Sequence, residues 1–146
     1  MSTQKHTPES VLDSFYSAEK IYMTDPTDAN FENMVSNFSA ELRIIQTPDL
    51  PYGGVWDGKE GFRGWSEQMS TLFDIVDVQD PKVYTNGDSS RVVVLSRLVL
   101  RVRRTQQLFE NPFCQSILVD TEVGLIKEIQ PFYWDVQGLV EAVQGK

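Results

Sequence analysis

The chain predicts an α+β domain, a cone-shaped α+β barrel in which a strongly bent antiparallel sheet wraps three helices from the N-terminal half. Two changes of period carry this expectation. Before residue 40, and again from 59 to 73, apolar side chains recur at three- and four-residue steps, as on amphipathic helices. After residue 75, four long segments alternate with period two and are separated by turn signals. Helices followed by a run of hairpins is an α+β order. A sheet bent far enough to cover three helices leaves an apolar interior. At 146 residues the chain is expected to form one domain, 1–146, with a full core.

Residues 1–7 read as a disordered polar tail. A first helix starts at Pro8, with Thr7 as its cap. Val11, Phe15, Ala18 and Tyr22 form its main stripe, flanked by Leu12, Tyr16, Glu19 and Met23, and Pro26 ends it. Asp28 is the expected cap of a shorter helix carrying Phe31, Met34, Val35 and Phe38. Leu42 to Thr47 reads as a short strand. The loop from Leu50 to Gly58 leads into a third helix, Lys59 to Phe73, with Phe62, Trp65, Met69 and Leu72 on one stripe. Asp57 and Glu60 have capping-box spacing at its start.

The strand segments follow. Ile75 to Tyr84 holds Pro81 at a bulge or edge, and Asn86-Gly87-Asp88 is a turn. Arg91 to Arg103 is a long Val- and Leu-rich strand, with a turn at Gln106-Gln107. Leu108 to Val119 and Leu125 to Trp134 complete the sheet, joined by a turn over Asp120 to Gly124. Asp135 caps a final helix with Leu139, Val140 and Val143.

Composition excludes several classes of function. The net charge of −8 and a pI near 4.6 oppose binding to nucleic acid or an anionic membrane. One cysteine, Cys114, precludes an intrachain disulfide. The polar start and the absence of any long apolar run give no signal peptide and no membrane span, so a cytoplasmic location is expected. His6 is the sole histidine, which excludes histidine-based triads unless it folds back. No Cys/His cluster or calcium-loop spacing is present, so no metal is expected. No nucleotide-binding fingerprint occurs, and no cofactor is expected.

The loop Pro51-Tyr52-Gly53-Gly54-Val55-Trp56, the helix start Gly61-Phe62-Arg63-Gly64-Trp65 and the segment Glu128-Ile129-Gln130-Pro131-Phe132-Tyr133-Trp134-Asp135 carry a resemblance. From about Pro8 to Leu139 the chain resembles the SnoaL-like family of polyketide cyclases and isomerases, within the nuclear-transport-factor-two-like (NTF2-like) superfamily. Among its members it is most similar to the fungal tetrahydroxanthone isomerases. The resemblance implies a cofactor-free isomerisation or cyclisation of an aromatic polyketide, such as a xanthone-type polycycle, in secondary metabolite biosynthesis. It also implies a homodimer whose sheets pack together. The same fold hosts dehydratases, hydrolases and non-catalytic binders, which stand as alternatives.

Such an isomerisation needs a base beside a carbonyl and donors for the developing enolate. Ketosteroid isomerase, which shares the implied fold, uses an Asp base with a Tyr and a protonated Asp as donors. The place of the donor acid falls on Gln115, and that of the donor tyrosine on Phe15, beside Tyr16. The place of the base falls near Gln46 or Thr47, and the SnoaL-type aspartate falls on Pro131 or Phe132. Neither place holds a carboxylate. The catalytic candidates are therefore Gln115, Tyr16, Gln46 and Glu19. Tyr52, Trp56, Trp65, Asn111, Phe113, Tyr133 and Trp134 are the candidate substrate-binding residues. Tyr52 and Trp56 are expected as walls at the mouth of the pocket. Asp135 reads as a cap, Cys114 as a small buried hydrophobe, and Arg97, Arg101 and Arg103 as the outer face of the sheet and a dimer contact.

Overall fold

The structure, a computed structural model, describes residues 6–87 and 90–145. Its elements run α1 (Pro8–Thr24), α2 (Asp28–Val35), β1 (Phe38–Gln46), β2 (Gly54–Asp57), α3 (Gly58–Leu72), β3 (Phe73–Tyr84), β4 (Arg91–Val102), β5 (Leu108–Asp120), β6 (Leu125–Tyr133) and α4 (Val136–Gln144). The six strands form one sheet in the order β2-β1-β6-β5-β4-β3. All pairs are antiparallel except β1 with β6. The sheet does not close on itself: β2 and β3 are its edges, and helices cover the concave face.

Both stripes expected on α1 are buried, including Glu19 at 6% exposure. A hydrophilic side chain on an apolar stripe had solvent as its ordinary destination. Here Glu19 shares a face with Leu12, Tyr16 and Met23, so the packing that buries them buries it too. On β5 the alternation is regular: Phe113, Gln115, Ile117 and Val119 are buried, while the residues between them are half-buried. The register of the candidate amide is thereby decided, with Gln115 inward, opposite Pro131 of β6 and Val94 of β4.

Several expectations need correction. Of the residues read as tail, Thr7 forms a capping box with Ser10, and the His6 ring lies against Gly124. Residues 1–5, and Asp88 of the expected turn, lie outside the described residues. The cap of α2 is Thr27, whose hydroxyl accepts from the Asn30 amide, not Asp28. Phe38 opens β1 instead of continuing α2, because the chain turns at Ser36 and Asn37. Asp57 makes no side-chain cap on α3; its carboxylate is drawn to Arg43 across the β1–β2 pair, 3.3 Å away. Pro81 does sit at a bulge, where the β3–β4 register shifts and Asp80 adopts a φ of +52°.

Loop 47–53 folds tightly on itself. Leu50 N–H donates to the Thr47 carbonyl and Gly53 N–H to the Leu50 carbonyl, and Leu50 and Tyr52 are buried. A Cβ on Gly53 would collide with the Thr47 carbonyl oxygen, so only glycine allows this closure. Residues 54–57, read as loop, form the short edge strand β2 on β1.

Candidate active site

The concave face of the sheet and helices α1 and α3 enclose a hollow lined mainly by apolar side chains. Phe15 and Glu19 come from α1, Trp65 and Met69 from α3, and Val76, Val78, Leu98 and Leu100 from β3 and β4. The remaining strands supply Ile44 and Gln46, Phe113 and Gln115, and Ile129, Pro131 and Tyr133. Its free volume is about 30 Å³, which is room for about one water molecule. Pockets for drug-sized molecules are roughly 300–1,000 Å³. The expected greasy interior therefore exists, but it is narrow.

Three polar groups reach the wall. The Tyr16 hydroxyl donates to Gln115 Oε1 at 2.5 Å. That bond orients the amide, leaving the Gln115 –NH2 without a protein partner among the described residues. A second unit joins three residues: the Tyr52 hydroxyl donates to the Tyr133 oxygen at 3.1 Å, and Tyr133 donates to Gln46 Oε1 at 3.1 Å. Its acceptor is thus occupied, and Gln46 too keeps only an amino group to offer. Two glutamine side chains thus line the hollow, each with its carbonyl oxygen accepting from a tyrosine and its –NH2 without a hydrogen-bond partner among the described residues.

Glu19 is the third group. No hydrogen bond or ion pair joins it to another described residue, and it is buried on the wall. Burial, with the Asp77 carboxylate adding to it, pushes its carboxyl up from 4.5 to about 8. Desolvation disfavours the charged form, and a like charge nearby does the same. Glu19 is therefore mostly protonated at neutral pH, with a minor ionised population. That is the range in which a carboxyl both gives and takes protons efficiently. The tyrosines stay neutral: burial raises Tyr16, Tyr52 and Tyr133 well above the usual phenol range.

Not every candidate reaches the hollow. Of the four catalytic candidates, Glu19, Gln46 and Gln115 line it, while Tyr16 stands behind Gln115 and positions it. Among the aromatic candidates, Trp65, Phe113 and Tyr133 form walls. Tyr52 is fully buried behind Tyr133, edge-on to it, because the closed loop draws it inward from the expected mouth. Trp56 is not a wall either. Its indole N–H donates to the Tyr52 carbonyl, and its ring lies against α3 where Gly64 leaves space. Trp134 is 75% exposed: with Pro131 and Tyr133 inward, alternation sends Phe132 and Trp134 to the other face. Asn111 shares the parity of Gln115 but is half-buried beyond Phe113, where β5 has run past the hollow.

Asp135 is a helix cap, accepting from the Gly138 amide at 2.8 Å. Cys114 is half-buried between Leu95 and Phe132 on the outer side. Arg97 and Arg101 pair with Glu110 and Asp74, and Arg103 donates to the carbonyls of Ser70, Met23 and Phe73. Arg103 thus ties the last turns of α1 and α3 to the start of β3 and is not a free outer-face contact. Among the described residues no group of His, Cys, Asp and Glu is arranged to hold a metal ion. None of the described helices is long and apolar enough to cross a membrane.

A mostly antiparallel sheet curled over helices, with polar groups aimed into its concave side, is the NTF2-like cone fold. Solved structures of that fold superpose over nearly the whole chain. A hypothetical protein from Catenulispora acidiphila with a ketosteroid isomerase-like fold, in complex with trimethylamine, is similar at 19% identity and a TM-score of 0.70. The match covers 95% of this chain and 94% of that one. A candidate polyketide cyclase from Xanthomonas campestris pv. campestris shows 15% identity and a TM-score of 0.71, over 92% and 95% of the two chains. TerC, co-crystallised with polyporic acid, matches with the same figures. No family model and no curated protein matches the chain.

Proposed function

We propose that this protein is a cofactor-independent enzyme of the isomerase or cyclase type, acting by proton transfer next to a carbonyl. The observation that carries the reading is Glu19, a buried carboxyl without a hydrogen-bond or ion-pair partner among the described residues, on the wall of a hollow also lined by two glutamine amides; burial pushes its carboxyl up to about 8. In its ionised form Glu19 takes a proton from the carbon next to the carbonyl. The C–H electron pair moves toward the carbonyl oxygen, where the Gln115 –NH2 and the Gln46 –NH2 hold the enolate. Glu19 then returns the proton at a different position, completing a tautomer shift; in the cyclase variant the enolate carbon attacks a second carbonyl, whose π pair moves to its oxygen, and Glu19 gives its proton to that alkoxide as the ring closes.

The substrate proposed is a flat oxygenated polyketide, of which a xanthone-type polycycle is one example. The ring walls Phe15, Trp65, Phe113 and Tyr133 support it, as do polyporic acid in TerC and the likeness to a candidate polyketide cyclase. Such a molecule requires the narrow hollow to widen by about tenfold, with α1 and α3 separating from the sheet. The lack of a carboxylate at either of the places the resemblance gives for a catalytic aspartate favours a second reading, in which the chain binds a small molecule without turning it over. Incubating the full chain with a panel of aromatic polyketides and following product by mass spectrometry separates them. Turnover by the native protein, lost in Glu19→Gln, is the expected result. Quenching of tryptophan fluorescence without turnover would select the binder, and neither effect would remove both.

We further propose a homodimer through the outer face of the sheet, where Val93, Leu95 and Phe132 are 41–52% exposed around Cys114. A contiguous apolar face of this kind favours a protein contact. Sedimentation velocity is expected to show a dimer that Leu95→Asp converts to monomer. A native protein that sediments as a monomer would end this proposal.

A further inference from the structure

The indole N–H of Trp65 has no acceptor among the described residues, although Trp65 is only 5% exposed and its Nε1 is sealed from solvent. The other two tryptophans differ. Trp56 donates to the Tyr52 carbonyl at 3.1 Å, and Trp134 is 75% exposed, where water accepts from it. A buried indole N–H ordinarily finds a partner. Two serine hydroxyls, Ser66 Oγ and Ser96 Oγ, are also buried and unpaired, but neither residue lines the hollow, and a hydroxyl turns freely about one bond. Turning the indole would break a stack. Its ring lies on Phe62 with centroids 5.4 Å and planes 20° apart, and Phe62 in turn meets Phe31 and Phe38.

Trp65 also lines the hollow, where the balance of polar groups is one-sided. The oxygens of Gln46 and Gln115 accept from Tyr133 and Tyr16, and the Tyr133 hydroxyl both accepts and donates. Apart from Glu19, the polar groups left without a partner on the lining residues are therefore all donors: two –NH2 groups and the indole N–H. A ligand matched to them brings oxygens that accept and few hydroxyls that must donate. Admitting a flat ring also takes α3, which carries Trp65, away from the sheet. A ligand oxygen reaching the freed N–H gains a bond and relieves an unpaired donor at once.

We propose that Trp65 is a ligand-binding donor: as the hollow widens, its indole N–H takes a carbonyl oxygen of the ligand, so that the site favours flat ketones over hydrocarbons and alcohols of the same shape. This rests on the hollow being a small-molecule site, and it holds whether or not Glu19 moves a proton.

The test is an NMR titration of the full chain, labelled with nitrogen-15 at its three tryptophans, with 1-indanone, 1-indanol and indane as probes. Trp65→Phe identifies the signal; if that variant does not fold, Trp56→Phe and Trp134→Phe identify it by elimination. Indane reproduces the ring current of the ketone without its oxygen. 1-Indanone is expected to move the Trp65 indole proton downfield where indane does not. It is also expected to bind roughly tenfold tighter than indane, the size of one hydrogen bond, and more tightly than 1-indanol. Equal binding of the ketone and either analogue, or binding of the ketone with the Trp65 signal unmoved, overturns the proposal and leaves the hollow a binding site. Binding by none of the three removes the small-molecule reading of the hollow, and this proposal with it.

Discussion

Glu19→Gln is expected to melt at a higher temperature than the native protein, by a margin that grows with pH, while losing turnover. In the unfolded chain this carboxyl ionises near 4.5, and in the folded chain it keeps its proton to about 8. Between those values the folded state holds more protons than the unfolded one, so stability falls as pH rises through that window. Below about 4.5 the penalty is absent, and above about 8 it is complete. Each unit of separation is worth about 1.4 kcal/mol, so the full penalty is on the order of a few kcal/mol.

For a chain of this length, 1 kcal/mol moves the melting temperature by about 2–4 °C. The variant should therefore melt roughly 10–20 °C higher than native at pH 9 and level with it at pH 4. A neutral amide of the same shape escapes the penalty but cannot shuttle a proton, and loss of such a group lowers turnover by about 10²–10⁴-fold. Calorimetric scans from pH 4 to 9 check the first effect. Parallel curves for the two proteins across that range would show that Glu19 is an ordinary solvated carboxylate.

The second large effect is expected at the Tyr16–Gln115 pair. Gln115→Leu removes the acceptor of a buried hydroxyl, and a buried polar group left unpaired costs about 1–3 kcal/mol. It also removes the amide donor proposed for the enolate, and loss of one such donor lowers kcat by about 10²–10³-fold. Tyr16→Phe leaves that donor in place and loosens only its orientation, so its turnover should fall less. The double variant is the informative one. With neither partner left unpaired, it should recover most of the stability lost in Gln115→Leu and none of the turnover. Urea melts and single-turnover rates on the four proteins read the two quantities separately. Full turnover by Gln115→Leu would remove its role at the oxyanion.

The α1 stripes and the hairpin run were legible because each depends on local spacing, and burial follows period where one face meets a core. The face of Gln115 hung on a one-residue register, which only its pairing with β4 and β6 decided. The misplacements share one cause: each turned on what lay across the fold. Trp134 and Tyr52 look alike as aromatic residues near a glycine-rich or helix-capping turn. One ends at the surface and the other at the centre, because strand parity and a closed loop decide between them. Asp57 and Glu60 have capping-box spacing, yet Arg43 on the neighbouring strand takes the aspartate instead.

By itself the chain determined its order of elements and its amphipathic faces, because 3.6- and two-residue periods are properties of the backbone; the roster of candidate amides, phenols and carboxyl came from the family resemblance. Only the tertiary structure decided how those groups are paired and charged. Tyr16 meets Gln115 across 99 positions, and Tyr133 meets Gln46 across 87. Proton affinity depends on desolvation and on charges within a few ångströms, and neither is written in the neighbours along the chain.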